Sequence, residues 1–288
     1  NGYLCKVIYN ISMRMLRHIS LIAILFAMMM VACGGGVSSK PKASKDDKPA
    51  STSSVVMAAL YDFRVIKEYP HSSRSYTQGL EYVDGVMWEG TGQLGRSHLQ
   101  RIDLATGKVD VVATLPDKEF GEGITHYKGE IYQLTWESHV AHVYDKDGKH
   151  LRDIKYRGEG WGITTDGEKL YMSDGTSTIR VVNPETFATE ESICVTLDGQ
   201  PLDLLNELEW VDGHIWANVY LTDAIVEIDP KTGVVLGYVD MPALRVKLEN
   251  NPEAEAFNGV AYNPASGHFY VTGKDWNKIF EVEIIKNN

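Results

Sequence analysis

QGLEYVDGVMWEG, residues 78–90, is two apolar runs hinged on Asp84-Gly85. Asp-Gly between alternating apolar runs is a strong hairpin signal, because a type I′ turn needs positive φ at both central residues. The pattern returns four times: EGITHYKGEIYQLTW (122–136), WGITTDGEKLYMSDG (161–175), NELEWVDGHIWANVY (206–220) and NGVAYNPASGHFYVTGK (258–274). The turns fall at Lys128-Gly129, Asp166-Gly167, Asp212-Gly213 and the longer Pro264 to Gly267.

Anchored on Gly79, Gly123, Gly162, Glu207 and Gly259, the repeats are spaced by 44, 39, 45 and 52 residues. Each continues into a third strand, such as LQRIDLATG or AIVEIDPKTG, and most into a fourth, such as KVDVVATL. A period near 40 to 50 residues with about four strands per unit is the signature of a β-propeller. The fold class expected is therefore all-β, a five-bladed propeller over residues 59–288. The fifth unit stops after its third strand, so LYDFRVIKEYPH (60–71) is expected to supply the missing outer strand and close the ring. Residues 242–256, PALRVKLENNPEAEA, are charged and non-alternating, and are expected to be a partly helical excursion.

The N-terminal segment reads differently. Arg14, Arg17 and His18 precede an apolar run from Ile19 to Ala32, too short for a stable membrane span and suited to a signal peptide. Residues 1–32 are thus expected to be a leader, translated from Met13 or Met15. The run ends in Met30-Val31-Ala32-Cys33, which resembles a bacterial lipobox and implies lipid attachment at Cys33. Residues 33–58, rich in Gly, Ser, Lys and Pro, read as a flexible tether. The place expected for the domain is the periplasm or cell envelope, at a membrane. Of the three cysteines, only Cys194 belongs to the repeats, where a buried inert thiol is expected. The net charge of −11 excludes phosphate-driven nucleic-acid binding.

Equivalent positions of each blade converge on one face of a propeller. Ten to fifteen residues past the anchors stand Glu89, Trp136, Asp174, Tyr220 and Lys274. At or just before them stand Gln78, Glu122, Trp161, Asn206 with Glu207, and Asn258. Apolar walls with a few convergent polar groups describe a small-molecule or peptide-end site. Asp174 itself reads as a turn residue. His139 and His142 in HVAH face opposite sides of a strand and do not read as a metal pair. DKDG (145–148) lacks the downstream glutamate of a calcium loop and reads as a turn.

The strings YTQGLEY, GRSHLQRIDLATGKV, FGEGIT, IYQLTW, GEGWGITTDG, MSDGTSTI, NELEWVDGHIWANVY, TDAIVEIDPKTG and NGVAYNP, in this order, resemble the glutamine cyclotransferases, the plant-type glutaminyl cyclases. The resemblance spans about residues 70–285. It implies a five-bladed propeller that closes an N-terminal glutamine to pyroglutamate and releases ammonia, without cofactor or metal, on glutaminyl peptides and proteins. A monomer is expected. Carried over residue by residue, it assigns catalysis to Glu89, Lys274 and Asn206. It assigns substrate binding to Gln78, Tyr76, Trp88, Trp136, Trp161 and Tyr220; Glu207 joins this set by its place in the repeat beside Asn206, either orienting the site or capping strands. Tyr76 and Tyr220 replace a phenylalanine and a tryptophan common in the family, which affects pocket shape. Cyclisation needs a held, folded-back side chain and one group that moves a proton, and a glutamate beside an indole fits that need. Two other readings compete: a non-catalytic propeller lipoprotein binding peptide N-termini, and a metal-dependent lactonase-like propeller. The lysine and many indoles of the strand-end set argue against the second.

Overall fold

The computed structural model describes residues 55–286. The leader, Cys5, Cys33 and most of the tether lie outside the described residues. Two N-terminal strands come first, the two-residue β1 (Ala59–Leu60) and the nine-residue β2 (Asp62–Pro70). Blade one holds β3 (Thr77–Val83), β4 (Val86–Thr91), β5 (His98–Asp103) and β6 (Lys108–Thr114). Blade two holds β7 (Gly121–Tyr127), β8 (Glu130–Thr135), β9 (Val140–Asp145) and β10 (His150–Lys155). Blade three holds β11 (Ile163–Thr165), β12 (Leu170–Met172), β13 (Thr178–Val182) and β14 (Thr189–Cys194). A small hairpin of β15 (Thr196–Leu197) and β16 (Gln200–Pro201) follows. Blade four holds β17 (Leu205–Val211), β18 (His214–Val219), β19 (Ala224–Ile228) and β20 (Val235–Asp240). After the one-turn helix α1 (Ala243–Val246), blade five holds β21 (Phe257–Asn263), β22 (His268–Gly273) and β23 (Lys278–Ile285).

Each blade is an antiparallel meander, and β2 pairs with β23 as the outermost strand of blade five, as the sequence predicts. A second stitch is unforeseen: β1 runs parallel to β20, so the N-terminal segment joins both of the last two blades. The expected excursion contains helix only at Ala243–Val246. Type I′ geometry holds at Asp84-Gly85, Lys128-Gly129 and Asp212-Gly213, where both residues have φ between 49° and 88°.

The innermost strands touch in the ring order β3, β7, β11, β17, β21 and back to β3. There they meet backbone to backbone. A Cβ on Gly79 would lie 2.5 Å from the Ile124 nitrogen, and one on Gly162 2.1 Å from the Asn206 oxygen. Farther out, apolar side chains fill the wedges between blades. Leu80, Met87 and Ile102 pack on Ala261, Tyr270 and Ile279, and Trp88 and Leu99 pack on Ile124, Ile131 and Tyr144. Each leucine, isoleucine or methionine among them contributes about 1.5–3 kcal/mol on burial. Cys194 departs from expectation: it is exposed, because β14 is the outer edge strand of its blade.

Candidate active site

At the end of the ring where the inner strands begin, the blades leave a cavity of about 230 Å³. Three positions of the repeat feed it. The second residue of an inner strand contributes Gln78, Glu122 and Asn206, with Trp161 in the matching place before Gly162. The residue just ahead of an inner strand contributes Tyr76 and Phe120. The residue just after a second strand contributes Trp136, Tyr220 and Lys274.

Glu122 is the carboxylate of this cavity. Burial pushes its carboxyl well above the usual carboxylate range; Lys274 opposes the shift and Glu159 adds to it. Its hydrogen-bond donor is Gln78, whose Nε2 lies 3.0 Å from Oε1. Gln78 is oriented in turn by Asn258 Nδ2, 3.3 Å from its Oε1. Asn206 is buried, and its Oδ1 has no hydrogen-bond partner among the described residues. That oxygen is an acceptor open to a bound N–H.

Lys274 Nζ sits between two phenol rings, 4.9 Å from the centroid of Tyr76 and 4.7 Å from that of Tyr220. Burial lowers its pKa from the ordinary lysine value, and Glu122 and Glu255 partly offset this. The aromatic wall is pinned from behind. One oxygen of Glu159 accepts from both indoles, 2.7 Å from Trp136 Nε1 and 2.9 Å from Trp161 Nε1. Tyr76 Oη donates to Glu255 at 3.0 Å. Phe120 bridges Tyr76 and Trp136 edge-on, and Trp161 meets Tyr220 in the same way. The result is a small, aromatic-walled chamber with one carboxyl, one ammonium and one open amide oxygen.

The family model for glutamine cyclotransferases matches residues 29–284. The chain belongs to the glutamine cyclotransferase family. A glutaminyl-peptide cyclotransferase of Arabidopsis thaliana is 33% identical over 232 residues, covering 78% of this chain and 72% of its own. The crystal structure of Myxococcus xanthus glutaminyl cyclase superposes with a TM-score of 0.73 at 34% identity, over 80% of this chain and all of that one.

Against this cyclotransferase chamber the residues assigned from sequence divide. Gln78, Tyr76, Trp136, Trp161, Asn206, Tyr220 and Lys274 line it together. Glu89 does not. It stands in mid-strand of β4, whereas Trp136, Tyr220 and Lys274 each follow the last residue of their strands. Its fully buried carboxylate accepts from Thr77 Oγ1 at 2.6 Å, Gln100 Nε2 at 2.7 Å and His71 Nε2 at 3.1 Å. Burial opposes its ionisation, but His71, then Thr77 and Gln100, outweigh it and lower the pKa. The position equivalent to Trp136 in blade one is Gly92, where a Cβ would strike the Phe120 ring at 2.3 Å.

Trp88 also lies outside the chamber. It wedges between blades one and two, against the His126 ring at 5.0 Å. Glu207 points inward across the ring instead. Its two oxygens accept the backbone N–H of Leu80 at 3.2 Å and of Val260 at 2.8 Å, tying β17 to β3 and β21. Asp174 is a turn residue, accepting from Thr176 Oγ1 at 2.6 Å. Phe120 is absent from the residues expected from sequence, although FGEG aligned on YTQG places it where Tyr76 stands. Glu122 is among the residues that the repeat converges, with no role expected of it from sequence.

Proposed function

We propose that the chain closes the N-terminal glutaminyl residue of peptides and proteins to pyroglutamate, with Glu122 carrying the proton and no metal in the chemical step. The observation that carries this reading is a single buried carboxyl facing a buried ammonium in an aromatic chamber sized for one residue. The cavity is smaller than the roughly 300–1,000 Å³ of drug-sized sites, which suits a chain end and not an extended peptide.

In the reaction the α-amine nitrogen attacks the side-chain carboxamide carbon. Glu122 in its ionised form takes a proton from that nitrogen as the new C–N bond forms. The same proton passes to the departing nitrogen as the old C–N bond breaks, and ammonia leaves. Lys274 supports the carbonyl oxygen as negative charge develops. The open Oδ1 of Asn206 accepts an N–H of the substrate, and the aromatic walls hold the glutamine side chain folded back on its amine. The raised pKa of Glu122 favours this role, since a proton carrier works best with a pKa near the working pH. Metal independence is supported by the donor set: one carboxylate, no histidine or cysteine, and a lysine beside it.

The test is ammonia release from a Gln-initiated dipeptide amide in the presence of chelator. Glu122→Gln should lower kcat/KM by about 10²- to 10⁴-fold, while Glu89→Gln should keep turnover at a temperature where it is folded. Wild-type turnover by Glu122→Gln would sink the assignment.

We also propose that the domain is a monomer held at a membrane in the cell envelope by lipid on Cys33, with proteins exposing N-terminal glutamine as substrates. The support is the Met30 to Cys33 motif after an apolar run. Metabolic labelling with an alkynyl fatty acid should mark the wild type and not Cys33→Ser; equal labelling of both would exclude the site.

A further inference from the structure

HVAH does not make a metal pair with itself, but the fold gives His142 other company. His142 on β9 and Asp153 on β10 are direct cross-strand partners, so their side chains share one face. His150 lies three residues before Asp153, which in a regular strand would turn it to the opposite face. The register shifts between His150 and Arg152. That bulge returns His150 to the face of Asp153, a common use of bulges. His142 Nδ1 and His150 Nε2 then converge on one oxygen, Asp153 Oδ1, at 2.8 and 2.6 Å.

We propose that His142, His150 and Asp153 bind a divalent transition metal, zinc by its ligand set, as a clip on the outer half of blade two. The three ligand atoms lie within 4.8 Å of one another. Tetrahedral bonds of about 2.0–2.1 Å set ligand atoms about 3.3 Å apart, so small side-chain rotations admit the ion. Two imidazoles and a carboxylate suit zinc, cobalt and nickel over calcium or magnesium.

A fourth residue prepares the site. Glu119 Oε2 lies 2.6 Å from His142 Nε2, and both side chains are about nine-tenths buried. A carboxylate that accepts the N–H of one ring nitrogen fixes the tautomer whose other nitrogen has its lone pair free for metal. Here that other nitrogen, Nδ1, is the one facing Asp153 and His150. His150 and Asp153 are half exposed, which gives the ion an entry path and leaves its fourth position to solvent. None of these residues lines the active-site chamber, so the clip acts on stability and leaves the chemistry to Glu122.

Titration of the untagged protein with Co²⁺, followed by visible absorption and by calorimetry with Zn²⁺, tests this. Wild type should bind one ion with the d–d bands of a tetrahedral N/O site, and zinc should raise its Tm. His150→Ala and Asp153→Asn, changes at half-exposed positions, should lose the bands and the Tm response. Glu119→Gln should weaken binding by about 10- to 100-fold. No binding by wild type, or binding unchanged in His150→Ala, would overturn the proposal and leave the cluster as a His–Asp–His ion pair.

Discussion

Replacing Glu89 by Gln removes one charge from a fully buried pair without changing side-chain shape. His71 and Glu89 both have side chains with no solvent exposure. His71 Nδ1 faces the Trp276 carbonyl at 2.7 Å and Nε2 faces Glu89 Oε1 at 3.1 Å. Both ring nitrogens meet acceptors, so both carry protons and the ring is a cation. Burial works against that charge; Glu89, joined by the Trp276 carbonyl and Asp275, more than restores it, raising the histidine pKa. Removing one member of such a pair costs about 3–5 kcal/mol. A glutamine keeps one acceptor oxygen, so about 3 kcal/mol is expected, or about 6–12 °C in Tm for a domain of this size.

The pH dependence has a definite sign. Glu89 has a lowered folded pKa, so its stabilisation is present above its ordinary value of 4.5 and is lost as pH falls through the folded pKa. His71 has a raised folded pKa, so its share is complete below its ordinary value of 6.5 and is lost as pH rises through the folded pKa. The gap between wild type and Glu89→Gln in urea unfolding should therefore be widest between pH 4.5 and 6.5. Ammonia release measured well below both melting points should stay within severalfold. An unchanged Tm together with a loss of turnover by orders of magnitude would refute the reasoning and return Glu89 to catalysis.

Other outcomes follow from the same geometry. The kcat/KM profile should rise as Glu122 ionises through its raised pKa and fall as Lys274 deprotonates through its lowered one; Lys274→Arg, which keeps its proton beyond about pH 12, should erase the falling limb. Glu159→Gln loosens both indoles, and a rise in KM of about tenfold with little change in kcat is expected from one charged hydrogen-bond acceptor lost. Gly162→Ala drives a Cβ to 2.1 Å from the Asn206 carbonyl oxygen, so unfolding should show a loss of about 4 kcal/mol or more, or no soluble protein.

The propeller was legible because its two constraints are local and repeated. Hairpins need positive φ at fixed places, and Asp84-Gly85 and Asp212-Gly213 supply it. Inner strands that meet backbone to backbone tolerate no Cβ, and Gly79, Gly123 and Gly162 answer that need. The fourth anchor is Glu207, where the side chain crosses the ring and caps an N–H group on each of two other inner strands, the adjacent β21 and the more distant β3. Closure through β2 was readable from a missing strand, which is a matter of counting. The parallel stitch of β1 on β20 was not, because two residues carry no periodicity.

The chamber was legible in most of its residues and not in its central carboxylate, and the reason is electrostatic. Glu89 and Glu122 are both buried glutamates on inner or second strands beside glycines. Glu89 meets three donors, one of them a cation, and its pKa falls. Glu122 meets one neutral amide and a lysine too far to hydrogen-bond, and its pKa rises. What separates them is where His71, Thr77 and Gln100 arrive in space, from the loop after β2 and from two strands of blade one. Two glutamates driven in opposite directions suit opposite uses: a fixed charge that holds the blade, and, in the reading proposed above, a proton carrier that needs to change charge. Position along the strand separates them as well. Register counted from the anchors alone drifts with turn length, whereas register counted from the ends of the second strands puts Gly92, and not Glu89, beside the chamber.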